Sequence, residues 1–272
     1  MLPSRIRYTV AAALVAAAFA LAPAAHAKVD YTDIWWAAGG TESGWGVNFA
    51  QTGDFIFVTF FIYGPDGMPF WYTAQMGRTS GETFFGPVYA VTGTWFGAPV
   101  FPPVPQKNAV VVGDATFVAS NSVRGTLRYR IDTVNVIKSI ERQSTVGLSV
   151  EDTYIGGISG TVSGSCPAGT PGSFRNAMQI RVEQTVSNNV RIEFSGADTT
   201  NLGRFVCAMQ GNAVQNGKVL SVSSASYQCA TGLNTIAEIE SIRQLDDGIE
   251  AHWRANLGGG CVERGRLAGV RQ

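Results

Sequence analysis

Residues 34–76, IWWAAGGTESGWGVNFAQTGDFIFVTFFIYGPDGMPFWYTAQM, decide the fold of this chain. They hold four of its six tryptophans, Trp35, Trp36, Trp45 and Trp71. The stretch reads as three consecutive antiparallel strands with aromatic faces. The middle one, residues 55–63 (FIFVTFFIY), alternates Phe55, Phe57, Thr59, Phe61 and Tyr63 on one side with Ile56, Val58, Phe60 and Ile62 on the other. Because both sides are apolar, the expectation is a central strand covered on both faces. Thr52-Gly53-Asp54 before it is a tight turn, and Gly64-Pro65-Asp66-Gly67 after it is a hairpin turn. There Pro65 pre-sets φ and Gly67 can take the left-handed conformation.

Working outward, residues 28–33 read as a polar leader, and strands are expected at 82–91, 108–119, 123–131 and 134–143. In 123–131, Val123, Gly125, Leu127, Tyr129 and Ile131 alternate with Arg124, Thr126, Arg128 and Arg130, the pattern of a half-buried strand. The segment 98–106, APVFPPVPQ, cannot pair as a central strand because each proline removes a donor.

A tryptophan before Glu42-Ser43-Gly44-Trp45-Gly46, then Gln51, Tyr63, Gly67-x-Pro69-x-Trp71 and Lys138-x-Ile140-x-Arg142-Gln143 follow in order. This succession resembles a module found in many secreted bacterial proteins, over residues 34–143. The resemblance implies a fold unit and a compartment, not a reaction. The chain departs from that pattern in having Ala37-Ala38-Gly39-Gly40 where an Asn-Pro pair is common, and it carries no second E-S-G-W-G copy.

After a polar linker at 144–153, the second half shows short, evenly spaced candidate strands between Gly, Asn, Asp and Ser turns, a meander or closed barrel. All four cysteines, Cys166, Cys207, Cys229 and Cys261, lie here. Metal ligation fails on spacing, since there is no C-x-x-C pair and His252 has no histidine partner. Two disulfides are expected, with three connectivities open. In an up-and-down barrel the first and last strands are neighbours, which favours Cys166–Cys261 as a closing staple and Cys207–Cys229 as a local bridge.

Arg5 and Arg7, an apolar run at 8–22 and the Ala25-His26-Ala27 site predict a signal peptide over 1–27. Cleavage after Ala27 leaves roughly 245 residues, a periplasmic or secreted chain without a transmembrane segment. A formal charge of zero gives no electrostatic reason for nucleic acid as a partner. A membrane-spanning barrel would need aromatic girdles and steady lipid-facing alternation, and the second half is too polar for it.

Chemistry is sparse. No G-x-S-x-G occurs, and His252 beside Trp253 lies in an alternating strand, as a wall residue does. Glu42 is the most suggestive acid for a carboxylate-dependent hydrolase, with Asp54 and Glu82 as companions, but no spacing specifies a second acid. No metal or cofactor is expected. The tryptophans carry the alternative. Trp35, Trp36, Trp45, Trp71 and Trp95, with Glu42, are the candidate ligand-binding residues, because indoles favour half-wet sites. The expected protein is all-β: two small antiparallel β-barrels or barrel-like sandwiches in tandem, 28–143 rich in aromatics and 154–272 disulfide-bonded. Its expected role is an extracytoplasmic binding or interaction module for a sugar, a small apolar ligand or an envelope or extracellular protein. A secreted hydrolase and a purely structural envelope protein are the alternatives.

Overall fold

The computed structural model describes residues 29–103, 108–170, 172–197 and 204–272; the expected signal peptide lies outside them. Two closed antiparallel barrels follow one another. The first comprises β1 (Asp33–Ala37), β2 (Gly46–Thr52), β3 (Phe55–Tyr63), β4 (Pro69–Ser80), β5 (Thr83–Val91), β6 (Ala109–Ala119), β7 (Arg124–Ile131) and β8 (Val134–Arg142). The second comprises β9 (Asp152–Gly164), β10 (Ser173–Gln184), β11 (Asn189–Ala197), β12 (Arg204–Asn212), β14 (Val219–Cys229), β15 (Asn234–Leu245), β16 (Gly248–Gly258) and β17 (Cys261–Arg271). A short β13 (Val214–Asn216) is appended to β14.

The opening stretch therefore contains four strands, not three. Reading the sequence missed β1 because five residues before a glycine pair carry little periodicity. Yet β1 closes the barrel, pairing Trp35 with Val47 of β2 and with Arg142 of β8. Its inward Trp35 packs in a ring cluster with Tyr31, Phe49, Phe84 and Phe117, centroids 5.0–6.3 Å apart. The supposed polar leader is part of this core. Tyr31 is buried, and Gln51 fixes it by accepting from its backbone N–H at 2.8 Å.

The expectation that β3 is covered on both faces is also corrected. Ile56, Val58 and Phe60 are fully buried, but Phe55, Phe57, Phe61 and Tyr63 open to solvent. A closed barrel has one interior, so only one alternate set can be core.

In the second barrel, consecutive strands are neighbours and β9 pairs with β17 along its length. Cys166 bonds Cys261 beside that seam, and Cys207 bonds Cys229 directly across the β12–β14 pair, both as expected. The candidate strands at 217–223 and 225–229 are one strand, β14, with register shifts where it bulges. Glu263 is buried inside, accepting hydrogen bonds from Trp253 Nε1 at 2.7 Å and Tyr227 Oη at 3.2 Å. Burial pushes its pKa up, opposed by these two donors. A raised carboxyl pKa contributes stability that is complete below the ordinary value of 4.5 and is lost as pH rises through the folded-state value. Glu263→Gln, which keeps an acceptor and removes the charge, is expected to raise the thermal midpoint at neutral pH. The advantage should close on acidification towards pH ~4, where both states protonate the native carboxyl. Calorimetry across that range checks it; an equal offset at every pH would refute it.

The barrels meet through the end of the first that holds the segment 29–32 and the turn 120–123. Ser122 donates to Glu240 O at 2.9 Å, Lys218 N–H donates to Asp33 Oδ2 at 3.0 Å, and Arg243 pairs with Asp30 at 2.8 Å. Behind these contacts Arg142, almost fully buried, donates to Ser122 O, Thr32 O, Asp30 O and Asp33 Oδ2. Its guanidinium also lies 5.1 Å from the Trp35 ring centroid. The linker is tied down too. Ser144 accepts from Gly217 N–H, Gln215 accepts from Leu148 N–H, and Val150 is buried in the second core.

Candidate functional site

Antiparallel alternation puts the connections 38–45, 64–68, 92–103 and 132–133 at the end of the first barrel remote from the second. Four of the candidate residues gather at or near this distal end, and they divide into two groups.

Glu42 and Trp45 belong to the first group, which seals the mouth. Gly44, at φ 98°, lets the E-S-G-W-G loop fold back against the Tyr63 ring. Trp45 is half-buried, stacks on Tyr129 at 6.5 Å and donates its indole N–H to the Tyr129 hydroxyl at 3.0 Å. Burial raises the Tyr129 pKa, opposed by this bond. Lys138 lies 5.1 Å over the Trp45 ring and pairs with Glu42. Thus Glu42 positions a lysine over a plug. Its expected companions are at the other end, where Asp54 pairs with Arg78 at 2.7 Å and Glu82 accepts from Tyr31 Oη at 2.9 Å. Among the described residues Glu42 pairs with Lys138, and neither Asp54 nor Glu82 stands beside it as a second acid.

The second group is open. Trp71 is 59 % exposed and Trp95 67 %. Trp71 stands directly opposite Phe61 in the β3–β4 register. One step along, Thr59 faces Asn48 and Thr73; one further, Phe57 faces Ala50 and Gln75. Thr73 and Gly77 face Tyr89 and Phe85 of β5. The outer wall over β2–β5 is therefore an aromatic sheet face interleaved with small polar side chains. The exposed amides of Asn48 and Gln75 make no hydrogen bond within the described residues. Among the described residues before Arg124 the sole basic side chain is Arg78, which is held by Asp54 and Glu82. Trp95 and Phe96 project from the 92–103 segment at the same end, rings 5.8 Å apart, with Phe96 91 % exposed.

Two candidates join neither group. Trp35 is fully buried and offers a ligand no surface. Trp36 is half-buried on the wall beside Gly40, its indole N–H buried without a partner. Reading the sequence missed Phe55, Phe57, Phe61, Phe85, Asn48 and Gln75. The signal was available: Asn48 and Gln75 sit at the alternation positions that pair with the odd-numbered face of β3, which a core would not admit.

His252 has neighbours suggestive of a relay. Its Nδ1 is 3.3 Å from Ser241 Oγ and its Nε2 3.1 Å from Glu250 Oε1. His252, then Arg243 and Arg266, hold Glu250 below the usual carboxylate range against burial. Ser241 is buried at the junction of the two barrels, however, beside a void of about 10 Å³, which is too small for a substrate. Among the described residues no cluster of His, Cys, Asp and Glu could hold a metal ion.

No family model matches the chain, and neither the curated proteins nor the solved structures hold a match to it.

Proposed function

We propose that this is an extracytoplasmic binding module, exported by its N-terminal signal peptide, whose site is the outer aromatic wall of the first barrel and whose ligand is a neutral glycan. The observation that carries the reading is the open Phe61–Trp71 pair on a wall that also bears the free amides of Asn48, one alternation step along, and Gln75, two steps along. Aromatic rings left in water offer flat faces on which the C–H faces of a sugar ring stack. Amides beside them supply paired donors and acceptors for its hydroxyls. The scarcity of cations on this face favours an uncharged ligand over an acidic one. A small apolar ligand held inside the barrel is disfavoured, since fully buried side chains fill the interior. The two disulfides belong to an oxidising compartment outside the cytoplasm, in agreement with export.

The test is affinity electrophoresis and calorimetry against neutral polysaccharides. Trp71→Ala is expected to weaken binding by about tenfold or more, the scale of one lost aromatic stack, and Gln75→Ala by less. Trp71 is 59 % exposed and lies outside the buried core, so the effect should appear without a large change in thermal midpoint. If the folded protein binds no neutral glycan but is captured by a protein of the envelope through Trp71, the glycan assignment fails and the interaction reading replaces it.

A further inference from the structure

A second surface, on the other barrel and independent of the aromatic wall, has the opposite chemistry. Four outward side chains from neighbouring strands converge there: Arg175 of β10, Arg254 of β16, and Arg264 and Arg266 of β17. The register fixes their arrangement. Arg175, Ser159 and Arg266 stand side by side across β10, β9 and β17. In the adjacent row on one side, Ala177, Gly157 and Ala268 stand side by side, leaving almost no side chain above the sheet. A groove of about 500 Å³ results, lined by Gly157, Ser159, Arg175, Ala177, Glu250 and Arg266.

None of the four arginines forms an ion pair with the described residues, although Arg266 is near enough to Glu250 to help hold that carboxylate below its usual range. Arg266 donates its Nε to Ser159 Oγ at 3.0 Å, which steadies the guanidinium and leaves its Nη donors free. Arg175, Arg254 and Arg264 form no hydrogen bond or ion pair with the described residues. Arg254 and Arg264 are directly opposed across β16 and β17, a like-charge placement with Cβ atoms ~5 Å apart that costs stability unless an anion lies between. Two carboxylates are near. Glu250 closes one end of the groove and is engaged by His252, and Glu238 opposes Arg254 without forming an ion pair. Elsewhere most exposed arginines are paired, Arg124 with Glu141, Arg130 with Asp114, Arg181 with Glu183 and Arg271 with Asp152, while Arg128 stands singly on β7 without an ion pair among the described residues. In a chain with no net charge, an unpaired basic cluster beside a groove floored by small residues is a local feature with its own cause.

We infer that this groove binds a ligand carrying clustered phosphate groups. The planar forks of Arg175 and Arg266 suit bidentate contact with phosphate oxygens, the Ser159 hydroxyl lies between them, and Arg264 and Arg254 extend the positive surface towards a second group. Gly157 and Ala268 let the ligand approach the sheet closely.

Pyrophosphate is the probe, titrated calorimetrically into the full mature chain at low ionic strength. The expected result is saturable one-site binding that weakens as salt is added. Arg266→Gln and Arg175→Gln should each weaken it about tenfold or more, the scale of a lost charge-assisted hydrogen bond. Arg181→Gln, on the same strand but distant and already paired, should leave it unchanged. Absence of saturable binding overturns the inference. So does equal weakening by Arg181→Gln, which would mark diffuse attraction rather than a site. A parallel arm separates the sources of phosphate: sedimentation with phosphatidylglycerol vesicles, against phosphatidylcholine ones. Co-sedimentation that Arg266→Gln abolishes assigns the phosphate to a lipid headgroup; pyrophosphate binding without co-sedimentation assigns it to a soluble ester.

Discussion

Replacing Cys166 and Cys261 together by alanine is expected to lower the stability of the second barrel by ~4.7 kcal/mol, against ~3.4 kcal/mol for the Cys207–Cys229 pair. The ranking comes from the chain each bridge closes: the first spans 95 residues, the second 22. A longer loop leaves the unfolded chain more freedom when it is cut, and the difference grows only as the logarithm of length. The two bridges also sit differently. Cys207 and Cys229 face each other across β12 and β14, where the ladder from Cys207–Cys229 to Gln210–Ser226 already holds the strands near. Cys166 lies beyond the end of β9 and holds the first strand of the barrel to its last, at the point where the Gly258–Gly260 turn enters β17. Chemical denaturation of the two double variants, with the first barrel as internal reference, gives both numbers. The reverse ranking would mean that the β9–β17 ladder alone sets closure.

Arg142→Ala is expected to cost ~3–5 kcal/mol and to split one thermal transition into two. The cost follows from what is left behind. Asp33 stays buried with one charge and loses its cationic partner at 3.0 Å, while Thr32, Asp30 and Ser122 lose a donor to their carbonyls. Breaking one side of a buried pair is worse than never having had it, so Arg142→Met with Asp33→Asn should recover much of the loss. The splitting follows from position. Asp33 also accepts the backbone N–H of Lys218, and Asp30 pairs with Arg243, so the groups that Arg142 organises are those that touch the second barrel. Differential scanning calorimetry distinguishes a simple shift from an uncoupling.

Much of the architecture was legible because strand alternation and turn chemistry are local. The hairpin at Gly64–Gly67, the half-buried β7 and the Cys166–Cys261 staple each follow from a few adjacent residues or from the closure that an up-and-down meander requires. What escaped depends on which strands become neighbours. Trp35 and Trp71 are the same side chain in similar aromatic surroundings, yet one is core and the other faces water. Only the pairing of β3 with Asn48 on one side and Gln75 on the other tells which face of β3 is outside. Arg142 escaped for a related reason. In sequence it is a charged residue at a strand end, and its four acceptors come from residues that are distant along the chain. The basic groove was invisible for the same cause: its arginines are scattered over 175–266 and become a cluster only through the β9–β17 pairing. The mouth plug was half legible, since Gly44 and Gly46 around Trp45 marked a close backbone approach, here against Tyr63, while Lys138 and Tyr129 had to come from far away.

The nesting of the two disulfides has a consequence for maturation. If the chain is threaded across a membrane from its N-terminus, as the proposed export requires, it can seal the first barrel once Arg142 has crossed. Its cysteines then arrive in the order 166, 207, 229, 261. An oxidant that joins thiols as they appear would couple Cys166 to Cys207, both wrong, before Cys261 exists outside. The native pairs are inner with inner and outer with outer. On the proposed export route, oxidative folding of this protein should therefore depend on an isomerase that reshuffles bridges by thiol–disulfide exchange, and not on an oxidase alone.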